Sequence, residues 1–184
     1  MTALRATPGV KRVETWAQDE ARFGLQPTAR RVWSRRGARP VAWQQPRYEW
    51  RWVYGCVHPP TGRTHWLEMP CVNTAAMSAA LATFARDVGA DAAHRVVLVL
   101  DRAGWHRSKK LVVPQGVELW WLPAYTPQLN PAERLWTLVR EAVANRVCAS
   151  LDELDAVVGA RCVALYHAPR QICRTTNYHW WPWC

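Results

Sequence analysis

The chain has 184 residues, 49% of them hydrophobic, and a formal net charge of +10. That length suits one domain burying about 70% of the surface its unfolded chain exposes, so neither a metal nor a disulfide scaffold is required to hold it. Six cysteines without a C-x-x-C pair, an N-terminal stretch without a signal-peptide apolar core and no apolar run near the ~18 residues of a membrane span exclude a disulfide framework and a membrane partner. A reducing cytoplasm is the expected compartment.

Only three of the 24 basic residues are lysines (Lys11, Lys109, Lys110), so arginine carries the charge, which favours a polyanionic partner, nucleic acid first. A GC-rich coding composition would also enrich arginine, but the distribution is uneven. Between Ala21 and Tyr48 stand Arg22, Arg30, Arg31, Arg35, Arg36, Arg39 and Arg47, interleaved with Trp33 and Trp43 and without one acid.

Val13, Thr15, Ala17 and Asp19 share one parity and predict a first strand ending at the acidic pair Asp19 and Glu20, whose side chains point to opposite faces and cannot both serve one site. After the arginine segment, YEWRWVYGCVH alternates with Tyr48, Trp50, Trp52, Tyr54 and Cys56 on one face; PPTGR turns and THWLEM returns, giving a hairpin. Asn73 suits the cap of a helix with Met77, Ala80, Leu81, Phe84 and Val88 on one stripe. The apolar run Val96 to Leu100 reads as a strand covered on both faces, with Asp101 at its carboxyl end. A short polar helix follows over HRSKKLVV, then the strand VELWWL and a loop with three prolines.

Asn130 suits a helix N-cap, Pro131 the first helical position, and Glu133 the place of a capping-box glutamate, facing away from a buried stripe of Leu138, Val139, Ala142, Val143 and Val147. A last helix starts near Ser150, with Asp152 and Glu153 in its first turn. The aromatic tail over 165–184 shows no readable pattern. Cys162, His167, Cys173, His179 and Cys184 match no common zinc spacing. The element order predicts an α/β fold with a mixed sheet, whose function belongs at the carboxyl ends of strands. Asp19, Asp101 and Glu133 would converge there, and a few carboxylates are what hard divalent cations and phosphate chemistry require.

The words around these acids are more specific than their spacing. WAQDEARFGLQP, RRVWSRRGARPVA, LVLDRAGWH and LPAYTPQLNPAERLW, in this order, resemble the catalytic domain of bacterial insertion-sequence transposases of the IS six-thirty family, relatives of the mariner transposases. The resemblance runs from about Thr15 to about Ala168. It implies an RNase H-like fold in which an acid triad, here Asp19, Asp101 and Glu133, binds two divalent metals, Mg²⁺ or Mn²⁺, that cut and rejoin DNA. On that reading 1–184 is a single catalytic domain acting on element ends and target DNA at the nucleoid. Arg22, Arg30, Arg31, Arg35, Arg36 and Arg39 would contact DNA, with Arg102 and His106 near the acids. His106 would touch phosphate or merely open the short helix. A nuclease that only hydrolyses, and a DNA-binding remnant that does not turn over, are the alternatives.

The sequence departs from the family at two places. Many relatives have Asn directly after the second Asp, where this chain has Arg102, whose charge would weaken metal binding or contact phosphate. Full-length relatives also carry a helix-turn-helix region ahead of the catalytic domain, whereas 18 residues precede Asp19 here. A separate helix-turn-helix polypeptide or frame is therefore expected to read sequence, and a homodimer to hold two ends.

Overall fold

The computed structural model describes residues 8–38, 40–41 and 45–181. Arg39 and Trp43 of the arginine segment and Trp183 and Cys184 of the tail lie outside the described residues. The sheet contains β1 (Arg12–Gly24), β2 (Trp50–His58), β3 (Arg63–Met69), β4 (His94–Leu100) and β5 (Val117–Trp121), in the spatial order β3-β2-β1-β4-β5. β2 runs antiparallel to β1 and β3, and β4 runs parallel to β1 and β5, so the sheet is mixed as expected.

Period-two alternation in β1 divides the core. Ala17, Ala21 and Phe23 face one side, under α2 (Leu135–Arg140), α3 (Leu151–Tyr166) and α4 (Pro169–Thr176). Trp16 faces the other, where α1 (Thr74–Val88) packs Met77, Ala80, Leu81 and Phe84 onto it. The α1 helix begins at Asn73, whose side chain accepts from the Ala76 N–H, and ends at Gly89 in the left-handed conformation. The α3 helix begins at Ser150, which accepts from the Glu153 N–H.

Four expectations are corrected. β1 does not end at the acidic pair but continues to Gly24, because Gln18 to Gly24 keep pairing with Cys56 back to Trp50 of β2. HRSKKLVV forms turns rather than a helix. The helix after Glu133 is short, ending at Arg140, so Val143 is buried from a following turn and Val147 is exposed. The tail folds a further helix, α4, anchored by buried Ile172 and Thr176. Among the described residues no helix is long and apolar enough to cross a membrane.

At the edge opposite the acids, the buried Glu14 carboxylate binds Arg12, Arg63 and the Trp16 N–H. Nearby, His58 is buried with Nδ1 2.7 Å from Thr61 Oγ1 and its ring 5.4 Å from that of Trp16. Burial pushes the His58 pKa down to about 4, against the attraction of Glu14. An unfolded histidine titrates near 6.5, so between these values the unfolded chain takes up the proton and the folded chain does not. The stability is present above pH 6.5 and is lost as pH falls toward 4, by about 3 kcal/mol at 1.36 kcal/mol per pH unit. Urea unfolding of the parent and of His58→Asn, which keeps an amide near Nδ1, should diverge in slope across pH 6.5 to 4. Parallel curves would show that His58 does not set this dependence.

Candidate active site

The register of β1 and β4 places the first two acids. Their last pair is Ala17 with Val99, so two residues further along each strand Asp19 stands level with Asp101. β4 stops at Leu100 while β1 runs on, bonded from there only to β2. Asp19 is thus in mid-strand and still at the open end of its neighbour. The two acids, Glu133 and the loop after β5 line one open cleft of about 550 Å³.

Glu133 arrives by a different local logic from the one its sequence suggests. Pro131–Arg134 is a 3-10 turn leading into α2. Asn130 caps it, its Oδ1 accepting from the Ala132 N–H at 3.1 Å. The reciprocal capping-box bond is absent, because the Asn130 N–H donates to the Pro127 carbonyl instead. The Glu133 carboxylate is therefore free for the cleft. Asn130 has a second duty that its capping role concealed: its Nδ2 donates to the Gln18 carbonyl at 2.9 Å, tying this turn to β1 beside Asp19.

Trp136, also unassigned from sequence, donates Nε1–H to Asp19 Oδ2 at 2.6 Å. The indole reaches it across Gly55, the residue paired with Asp19 in β2, where a Cβ would sit 2.9 Å from the Trp136 ring. A side chain on β2 at this point would push away the helix into which the Glu133 turn leads.

The electrostatics follow from gathering like charges. Burial, and then the charge of Glu133, push the Asp19 pKa up to about 8, against the Trp136 hydrogen bond. Glu133 is raised by partial desolvation and by Asp101, against Arg140 and Asp19. The pair holds a proton where opposite charge is lacking. Asp101 is held below the usual carboxylate range by the His106 hydrogen bond and the Ala103 N–H. Oxygen-only donors with a charge deficit fit hard divalent cations. Among the described residues no group of three or more His, Cys, Asp or Glu is drawn together closely enough to hold an ion as it stands.

His106 lies beside the acids but is 1% exposed and offers no surface to a phosphate. Its Nδ1 is 2.8 Å from Asp101 Oδ1 and its Nε2 2.8 Å from Glu20 Oε1. Burial lowers its pKa, but the bonds to Asp101 and Glu20 outweigh this and raise it to about 9. Glu20, on the opposite face of β1 from Asp19, thus reaches the site through an intermediary; face alternation excluded only direct contact.

Of the arginines, Arg102 lines the cleft and donates Nε–H to the Leu122 carbonyl at 2.9 Å. Arg22 lies over the Trp50 ring at 5.0 Å. Arg30, Arg31, Arg35 and Arg36 are exposed on the segment between β1 and β2, which carries fully exposed Trp33. That segment is rooted, since Leu25 N–H donates to the Glu49 carbonyl and Asn145 clasps the Arg30 backbone from both its amide atoms. Arg47 is engaged by Glu49 and the Ala149 carbonyl.

The cleft's lip holds a strained residue. Tyr125 is fully exposed at φ 59°, a left-handed conformation that costs a non-glycine residue about 1–2 kcal/mol and that Asn tolerates better. Asn145 adopts it at φ 57°. Since the Tyr125 side chain is fully exposed, Tyr125→Asn should stabilise the protein by about 0.5–1 kcal/mol in urea unfolding. A loss of stability would mean that the ring makes a contact worth more than the strain.

Comparison with known proteins agrees with this geometry. A family model described as DDE superfamily endonuclease matches residues 14–155. An uncharacterised protein of Sinorhizobium fredii, y4pE/y4sA, is 40% identical over 106 residues, covering 57% of this chain and 77% of that protein. The fold is similar to the Mos1 mariner paired end complex with Mn, with a TM-score of 0.58 at 15% identity over 89% of this chain and 54% of that one. A pre-cleavage Mos1 transpososome gives 0.56 at 15% identity, over 97% of this chain and 60% of that one. A chain of the simian T-cell lymphotropic virus intasome in complex with PP2A regulatory subunit B56 gamma gives 0.56 at 11% identity, over 96% and 58%. The chain spans little more than half the length of these structural relatives, and at such identities the likeness establishes the RNase H-like fold. With the family model covering most of the sheet and its acids, the chain belongs to the DDE superfamily endonucleases.

Proposed function

We propose that this chain is the catalytic domain of a transposase that cleaves DNA at the ends of an insertion sequence and joins the freed 3′-hydroxyl to target DNA. The observation that carries the reading is the cleft in which Asp19 and Asp101, level on neighbouring strands, meet Glu133 from the turn after β5. These three would hold two divalent cations, Mg²⁺ or Mn²⁺, as the Mos1 paired end complexes of similar fold are complexes with Mn and with Mg. Bound there, such ions stabilise the attacking and leaving oxygens of an in-line phosphoryl displacement.

The chain's own residues supply the rest. Trp136 fixes Asp19, Asn130 fixes the turn bearing Glu133 to β1, and Arg102 places a positive charge on the cleft wall. Arg31, Arg35 and Arg36 on the rooted segment, with Arg22 and Arg30, would follow the phosphate backbone. Phosphate contacts position a protein without reading sequence. We therefore assign recognition of the element's ends to a separate helix-turn-helix polypeptide or segment, pairing of two ends to a homodimer, and the place of action to the bacterial nucleoid.

A labelled, pre-cut element end incubated with plasmid and Mg²⁺ or Mn²⁺ should be joined to the plasmid. Asp101→Asn and Glu133→Gln should each reduce joining by about a thousandfold or more, the scale of lost electrostatic stabilisation, with unfolding midpoints little changed. Cleavage without joining would support a hydrolytic nuclease, binding without either a remnant, and near-normal joining by both variants would remove the acids from the mechanism.

The basic segment makes a separate prediction. If it neutralises about five phosphates, log affinity should fall with log salt at a slope near −4 to −5, at about −0.9 per contact. Replacing Arg35 and Arg36 together with Ala should flatten that slope by up to about 2. An unchanged slope would show that the exposed arginines do not meet the backbone.

A further inference from the structure

Two hydrogen bonds, flanked by two more, run from the interior of the sheet to the acid cleft. Glu20, from β1, is nearly fully buried, and its Oε1 meets His106 Nε2 at 2.8 Å and the Trp105 N–H at 3.4 Å. His106 Nδ1 in turn meets Asp101 Oδ1 at 2.8 Å. The Ala103 N–H donates to the same oxygen at 2.9 Å. Asp101 Oδ1 is thus saturated by protein donors, whereas Oδ2 has no protein donor among the described residues.

Asp101 itself has no structural need of its bond to His106. The Asp101 side chain is 56% exposed, so water would satisfy its oxygens. Glu20 satisfies only Nε2 of the buried His106 ring, and Asp101 Oδ1 meets the Nδ1 that is left. What the bond to Asp101 adds is a fixed orientation for a carboxylate that would otherwise rotate on an exposed loop, and supporting hydrogen bonds of this kind hold metal-binding side chains in one geometry.

We infer that Glu20 is a positioning residue of the acid site: it fixes the His106 ring, and the ring orients Asp101 so that one carboxylate oxygen is kept for the cleft. The inference rests on the metal-site reading above. Consecutive residues of β1 then serve the site from opposite faces of the sheet, Asp19 by lining the cleft and Glu20 by aiming the acid on the neighbouring strand's end.

Mn²⁺ binding to the full chain, followed by calorimetry or by the spin signal of the free ion, tests this apart from turnover. Glu20→Leu removes the acceptor, and Mn²⁺ affinity should fall about 10- to 100-fold while metal-free DNA affinity stays unchanged. Glu20→Gln keeps an acceptor for the ring and should recover affinity to within about threefold of the parent. A second pair decides the matter even where Glu20→Leu fails to fold. His106→Asn keeps a donor near the Nδ1 position and should retain most of the affinity; His106→Gln extends its amide toward Glu20, leaves Asp101 unsupported and should lose it. Parental Mn²⁺ affinity in Glu20→Leu or His106→Gln would overturn the inference. Parental affinity in Asp101→Asn would instead overturn the metal-site reading itself.

Discussion

The unequal lengths of β1 and β4 are the constraint on which the site depends. The two strands pair in parallel until Ala17 meets Val99; β4 ends one residue later, at Leu100, and β1 continues with one edge open. An open sheet edge exposes unpaired backbone groups. Here part of that edge is covered by the turn that carries Glu133, since Asn130 Nδ2 takes the Gln18 carbonyl. The same bond that satisfies the edge delivers the third acid. A longer β4 would pair with Gln18 and Asp19, displace Asn130 and close the cleft.

The two helical layers have different tasks. On the α1 face, Trp16 and Phe84 pack edge to face at 5.2 Å in an apolar layer interrupted by Glu14, Gln18, Glu20, His58 and His65. On the other face, Trp136 packs against Phe23 and Trp66 and also donates to Asp19, so core packing and site geometry share one side chain. Gly55 makes that sharing workable by leaving room for the indole directly across the strand pair from Asp19. Stability and placement of the acids are coupled on this face, and substitutions at Trp136 or Gly55 would disturb both together.

What the sequence disclosed tracks what is local. The apolar run before Asp101, the hairpin, and the caps at Asn73 and Ser150 are set by neighbours in the chain, and each folds as its pattern indicates. The end of β1 was illegible because it is decided by β2, some thirty residues away, which keeps pairing as far as Gly24. The capping-box reading of Glu133 failed because Pro127 supplies a competing carbonyl for the Asn130 N–H. Face alternation correctly separated Asp19 from Glu20, yet it carries no information about a histidine from another loop that bridges the two sides. The role of Trp136 was not legible, since nothing in a period-3.6 pattern reveals which indole N–H finds a carboxylate.

Arg102, where many similar transposases have asparagine, is the departure that the structure makes intelligible. A cation beside a metal-binding carboxylate weakens binding if it competes for the same oxygens. Here Asp101 Oδ1 is engaged by His106 and Ala103, while the Arg102 Nε–H is committed to the Leu122 carbonyl. That bond joins the end of β4 to the chain just after β5, at the start of the loop whose apex is the strained Tyr125. The guanidinium is therefore held on the cleft wall by a backbone acceptor rather than drawn onto the acids. Its charge faces the space that a phosphodiester would enter, which is where a positive group aids binding of the substrate without displacing the ions that the acids would hold.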